Sequence, residues 1–87
     1  MSKMMDWTLY IIETENGKLY TGITTDLERR FWEHCSGFGA KYFRSETPHQ
    51  IVYTEMHIDR SEASKREYEI KKMSKKKKLE LISCNSL

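Results

Sequence analysis

Apolar and polar residues alternate in two short stretches, Trp7 to Ile12 and Lys18 to Ile23, both rich in aromatic and β-branched types. Such runs suit a pleated, half-buried surface, and Asn16-Gly17 between them is a strong hairpin signal. An antiparallel pair is expected, and its register decides which side chains share a face. A two-residue Asn16-Gly17 turn would pair Thr14 with Leu19 and send Tyr10 and Tyr20 to opposite faces. A three-residue loop, Glu15 to Gly17 with Gly17 left-handed, pairs Thr14 with Lys18 and puts both tyrosines on one face. We expect the second register. Leu9, Ile11, Leu19 and Ile23 then line the opposite face, and Gly22 lies across from Tyr10, leaving open space beside that ring.

The period changes after residue 24. Thr25-Asp26-Leu27-Glu28 fits a capping box, with Thr25 offering its hydroxyl to an orphan backbone donor, so a helix is expected to run to about Cys35, ended by Ser36-Gly37. On this helix Leu27 and Phe31 define the buried side, Arg30 and His34 fall beside them, and Arg29 and Glu33 point to solvent. Ser36 to Pro48 reads as a surface loop, with Lys41 and Arg44 interleaved with Phe38, Tyr42 and Phe43. Gln50 to Met56 reads as a third strand. Asp59 to Glu62 fits the cap of a second helix carrying Ala63, Ile70 and Met73, with a bend near Ser74 before a last segment through Ile82.

With 87 residues, the chain suits one domain over 1–87 with a modest core, about residues 7 to 82. Hydrophobic residues at 38% and charged residues at 32% indicate a globular fold and exclude disorder. The formal charge of +2 alone points to no partner, but Lys71 to Lys78 gathers six lysines and no acid. Cys35 and Cys84 lack the spacing of a zinc ribbon or a disulfide framework, which fits reduced thiols. Met1 to Asp6 lacks a signal-peptide core, and no apolar run approaches the roughly 20 residues that span a bilayer. A cytoplasmic protein without membrane contact is expected.

Three features carry candidate chemistry. Arg30 borders the apolar stripe, where an arginine commonly lays its stem over the core and sends its charge outward. Glu67 falls on the stripe of Ala63 and Ile70, where a carboxylate needs a counterion, such as Arg30 or a lysine, or a hard cation such as Mg²⁺. Tyr10 and Tyr20, taken singly, are ordinary strand residues with the hydroxyl at an edge.

In combination, Leu9-Tyr10 and Tyr20-Thr21-Gly22 ten residues apart, then Arg30-x-x-x-His34, then Glu67 on a later helix, the pattern resembles the GIY-YIG nuclease family. The strings Leu19 to Asp26, Gly39-Ala40-Lys41-Tyr42 and Glu67 to Lys71 look like the small stand-alone bacterial GIY-YIG proteins of the UPF0213 type. The resemblance implies an α+β fold, a three-stranded antiparallel sheet flanked by helices, with a shallow cleft where the two tyrosines, the arginine and the glutamate meet. The three-residue hairpin loop is the register that permits this meeting. By position, the resemblance implies Glu67 as ligand of one divalent ion, Mg²⁺ or Mn²⁺. It implies Arg30 on the scissile phosphate, Tyr10 or Tyr20 activating water, and His34 in support. Thr8, Leu9 and Thr21 depart from the motif without removing one of these side chains. The asparagine that many members carry after the glutamate helix has only Asn85 as a candidate, and that role is not carried over.

Lys41, Arg44, Lys71 and Lys75 are candidate phosphate contacts, with Tyr42 or Phe43 stacking on an unpaired base. With no room for a separate DNA-reading domain, branched, flapped or damaged nucleic acid, DNA rather than RNA, is the expected partner. Three functions follow: a metal-dependent, structure-selective endonuclease in DNA repair or recombination, a catalytically weak or inactive nucleic-acid-binding module, and a protein-interaction domain whose lysines meet an acidic partner.

Overall fold

A computed structural model describes residues 6–37 and 40–84. Phe38, Gly39, Asn85 and the residues before Asp6, all invoked above, lie outside the described residues. Strands β1 (Trp7–Thr14), β2 (Leu19–Thr24) and β3 (Pro48–His57) form one antiparallel sheet in the order β2-β1-β3. Helices α1 (Leu27–Cys35), α2 (Arg60–Lys71) and α3 (Lys75–Cys84) complete an α+β fold.

The hairpin takes the register that joins the tyrosines. Tyr10 pairs with Gly22 and Ile12 with Tyr20, the Thr14 amide donates to the Lys18 carbonyl at 2.8 Å, and Gly17 adopts φ 80°. Only glycine takes that conformation without steric cost. The buried Thr14 hydroxyl accepts from the amides of Asn16 and Lys18, at 3.3 and 3.1 Å, tying off the turn from inside.

Each sheet face buries its own cluster. Leu9, Ile11, Tyr53 and Ile70 pack with Leu19, Ile23, Val52, Met73, Leu81 and Ile82 on one face, beneath α2 and α3. Tyr10, Ile12 and Phe43 pack with Tyr20, Leu27, Phe31, Tyr42 and Ile51 on the other, beneath α1. Leu9, Ile11, Ile12 and Ile70 are fully buried, each contributing about 1.5–3 kcal/mol. A shift in the β1–β3 register, from Ile11↔Tyr53 to Ile12↔Ile51, leaves Val52 as an extra residue. Tyr53 can thereby serve one cluster and Ile51 the other.

Three local expectations are corrected. The cap of α1 is Asp26, whose carboxylate accepts from the Arg29 amide at 3.1 Å, not Thr25. A carboxylate is the stronger acceptor at a positive helix end, and the Asp26 amide is itself held by the Thr24 hydroxyl at 3.0 Å. The stretch after α1 is not merely surface loop: Lys41–Arg44 winds into a 3-10 turn that drives Phe43 into the core. The third strand also runs further than Gln50 to Met56, with Pro48 at its first position on a sheet edge, where a missing donor costs no ladder bond. Asp59 caps α2 as expected, accepting from the Glu62 amide at 2.8 Å. The chain breaks at Ser74, whose hydroxyl caps α3 by accepting from Lys77 at 3.2 Å.

Candidate active site

Tyr10 sits at the centre of the aromatic face. Its ring crosses β2 directly over Gly22, where an ideal Cβ would come within 2.6 Å of the phenol carbon Cζ. The open space expected beside Tyr10 is therefore filled by its own hydroxyl end, and glycine is required for the close approach. This passage carries the hydroxyl to His34, whose Nε2 lies 2.9 Å away.

His34 is the most buried residue of α1, at 1% exposure, packed against Phe43 and Tyr20 with ring centres 4.5 and 5.4 Å away. Burial, with the neighbouring Arg30 charge, lowers its pKa to about 4, so the imidazole is neutral. Its Nδ1 is buried without a hydrogen-bond partner, an uncommon state for a polar atom in a packed interior. Tyr10, 1% exposed, is pushed up to about 12, chiefly by burial. Tyr20 and the negative charge of Glu67 add to that rise, and Arg30 opposes it.

Arg30 projects from the first turn of α1 toward the Tyr10 hydroxyl and is held by Glu33 at 3.1 Å. Burial alone would lower its pKa, but the contacts with Glu33 and Tyr10 outweigh that and raise it. Tyr20 is half-buried, its ring 6.4 Å from Tyr10 and 5.3 Å from Tyr42, with Lys71 Nζ 6.0 Å from its centre. Glu67 lies between Ala63 and Ile70 on α2 and pairs with that same Lys71 at 3.3 Å, its side chain 23% exposed. The counterion of Glu67 is thus the lysine, and its carboxylate is reachable from solvent.

The five residues singled out in the sequence are therefore brought to one region by four elements: Tyr10 from β1, Tyr20 from β2, Arg30 and His34 from α1, and Glu67 from α2. The candidate phosphate contacts are all exposed: Lys41 and Arg44 on the 3-10 turn beside Tyr42, Lys71 over Tyr20, and Lys75 near the hairpin turn at Gly17. Phe43, at 5% exposure, cannot stack on a base, which leaves Tyr42 for that role.

Among the described residues no group of three or more His, Cys, Asp or Glu side chains suited to a metal occurs. Glu67 still fits a hard cation. Mg²⁺ is commonly held by one or two carboxylates together with water and substrate phosphate, and this carboxylate is accessible.

A second polar cluster lies outside the residues that sequence patterns single out. Glu55 accepts from Tyr53, from His57 at 2.9 Å and from Arg66 at 2.9 Å, while the other His57 nitrogen meets Glu62 at 2.7 Å. Burial would raise Glu55, but these bonds hold it below the usual carboxylate value. Burial would lower His57, yet Glu62 and Glu55 raise it. The alternation Tyr53-x-Glu55-x-His57 is the available signal, since it puts all three on one face of β3.

Residues 6–80 match the GIY-YIG catalytic domain, a nuclease family. The chain is 52% identical over 75 residues to a UPF0213 protein of Staphylococcus saprophyticus, covering 86% of this chain and 92% of that one. It is 47% identical over 78 residues to a UPF0213 protein of Photorhabdus laumondii, covering 90% and 75%. The solution structure of a UPF0213 protein from Bacillus halodurans has the same fold, at 43% identity and a TM-score of 0.60, covering 91% of this chain and 84% of that one.

Proposed function

Because the chain belongs to the GIY-YIG family of nuclease domains, we propose that it is a metal-dependent endonuclease. In this reading, residues 1–87 act as a single domain that hydrolyses phosphodiester bonds in DNA by structure rather than sequence, in repair or recombination. The observation that carries this reading is the convergence of Tyr10, Tyr20, Arg30, His34 and Glu67 from four elements.

Phosphodiester hydrolysis places extra negative charge on a five-coordinate phosphorus. Positive groups fixed around it stabilise that state more than the substrate. Arg30 supplies a permanently charged fork, held in place by Glu33. Glu67 would hold the divalent ion, which supplies Lewis acidity toward a phosphate oxygen. As water attacks, an O–P bond forms and the bond to the leaving sugar oxygen breaks; the proton the water loses is balanced by the one the leaving oxygen gains, and a phenol hydroxyl can relay it by accepting one proton as it gives up its own. Tyr10, at about 12, keeps its own proton at neutral pH. Its hydroxyl is bonded to neutral His34, which at about 4 is too weak a base to take that proton and so orients the phenol instead. Tyr20, more exposed and beside Lys71, is the other phenol in reach. Lys41, Arg44, Lys71 and Lys75 hold flanking phosphates.

A binding module without useful turnover is the second reading, favoured by the burial and raised pKa of Tyr10. The test is a panel of end-labelled flap, nicked, branched and single-stranded DNA with Mn²⁺, Mg²⁺ or a chelator. Metal-dependent cutting of the branched or flapped forms is expected. Salt-sensitive binding with no cutting in any metal would replace the nuclease with the binding module.

A further inference from the structure

At the end of the sheet where β1 begins and β2 ends, a cavity of about 260 Å³ lies between the starts of α1 and α2. Arg29, Arg30 and Arg60 line it, together with Trp7, Thr25 and Glu33. Two of the three guanidiniums share the one carboxylate: Glu33 meets Arg30 at 3.1 Å and Arg29 at 3.7 Å. Arg60 has no carboxylate partner among the described residues, and its guanidinium carbon lies 6.0 Å from the centre of the Trp7 ring. The cap carboxylates nearby, Asp26 and Asp59, are committed to the amides of Arg29 and Glu62.

Three guanidiniums thus stand against one carboxylate within the lining, whose remaining residues are Trp7, Ile23, Thr24 and Thr25. Like charges gathered from two helices repel unless an anion stands between them, and guanidinium forks match phosphate oxygens in a way that a carboxylate-starved protein surface leaves available. Arg30, the group assigned to the scissile phosphate in the proposed function, lines this cavity together with Arg60, whereas neither Tyr10 nor Tyr20 does.

We propose that this cavity is a second phosphate subsite, which holds a phosphodiester group neighbouring the scissile one, with Arg60 as its main contact and Trp7 as its floor. The inference rests on the nuclease reading for which phosphate Arg30 holds. The subsite itself is a matter of binding. It gives the bound strand a direction, across the first turn of α1 toward the start of α2. It also requires that nucleic acid continue past the cut on that side.

The test uses the full chain carrying Glu67→Ala, a fluorescein-labelled flap DNA, and fluorescence anisotropy over a range of salt. Adding Arg60→Ala is expected to weaken binding roughly tenfold and to reduce the slope of log affinity against log salt by about 1. Arg60→Lys should restore the slope but not the full affinity, because a point charge replaces a fork. Lys65→Ala, an exposed charge outside the cavity, should change neither. In a Trp32→Phe background the Trp7 emission should shift on adding the same DNA and stay still with Arg60→Ala. Unchanged affinity and slope in Arg60→Ala, or an equal loss in Lys65→Ala, would overturn the subsite. Failure of the nuclease reading shows separately, as absence of cutting by the chain that keeps Glu67; binding that still depends on Arg60 would leave the subsite standing.

Discussion

On one face of the sheet His57 sits between two carboxylates, 2.9 Å from Glu55 and 2.7 Å from Glu62, and Tyr53 and Arg66 complete the bonds around Glu55. On the other face His34 reaches only the Tyr10 hydroxyl, and its second nitrogen is buried and unpaired. Tyrosine, histidine, arginine and glutamate occur in both clusters, yet the environments drive the histidines in opposite directions, His57 upward and His34 down to about 4. Where every charge has a partner, the cluster holds β3 to α2. In the other cluster the buried His34 Nδ1 is left unpaired, and under the proposed function the same residue types serve a ligand instead.

The largest effect that separates the two clusters is expected from Arg30→Ala. Removing a charge aimed at the transition state should slow cutting by about 10²–10³-fold, measured by single-turnover cleavage of a flap with Mn²⁺. Its pair with Glu33 lies near the surface, so denaturant stability should fall by less than about 1 kcal/mol. A comparable loss of cutting on removing Arg66, the arginine of the closed cluster, would erase the distinction.

The histidines should next reveal themselves in opposite pH windows. His34 titrates near 6.5 when unfolded and about 4 when folded, so the unfolded chain binds more protons between those values. Its contribution is complete above pH 6.5 and is lost as pH falls toward 4, by about 3 kcal/mol. For His57, raised on folding, the contribution is complete below about pH 6.5 and disappears as pH rises through the folded value. Denaturant melts across this range should show the acid limb flattened by His34→Asn and the limb above about pH 6.5 flattened by His57→Asn. Identical limbs in the two variants would contradict the assignment.

A smaller change is expected from Gly22→Ala. The added methyl would meet the Tyr10 ring, and displacing a buried phenol should destabilise the fold by about 1–3 kcal/mol. The Tyr10 to His34 bond should break with it, so activity should fall further than stability alone accounts for. Retained cutting in a folded Gly22→Ala protein would show that Tyr10 need not lie where it does.

Much of this arrangement is legible in the order of residues. Asn16-Gly17 and the left-handed Gly17 set the hairpin, and the period of two along β1 then puts Tyr10 and Tyr20 together. Helical spacing puts Glu67 between Ala63 and Ile70 and leaves its partner open among a lysine, Arg30 and a metal. What spacing does not carry is how far a side chain travels. Tyr10 crosses a neighbouring strand to reach His34, and Phe43 enters the core from a stretch that reads as loop, because tertiary packing decides both. The cap of α1 lies one residue beyond the expected Thr25, since Thr24, Thr25 and Asp26 are all competent and only the local turn chooses among them. The Glu55 cluster escapes a reading by pattern because its members are ordinary on a half-exposed strand and acquire meaning only when α2 brings Glu62 and Arg66 against them.

The open cluster as the seat of chemistry is tested by one side-by-side measurement, cutting and thermal stability together for the wild-type chain, Glu67→Ala and Glu55→Ala, on a labelled flap with Mn²⁺. The account predicts that Glu67→Ala stays folded and still binds but does not cut, while Glu55→Ala melts earlier, by about 1–2 kcal/mol, and cuts normally below its melting range. A wild type that leaves the flap intact while Mn²⁺ is present, or a Glu67→Ala chain that cuts as well as wild type, would contradict it.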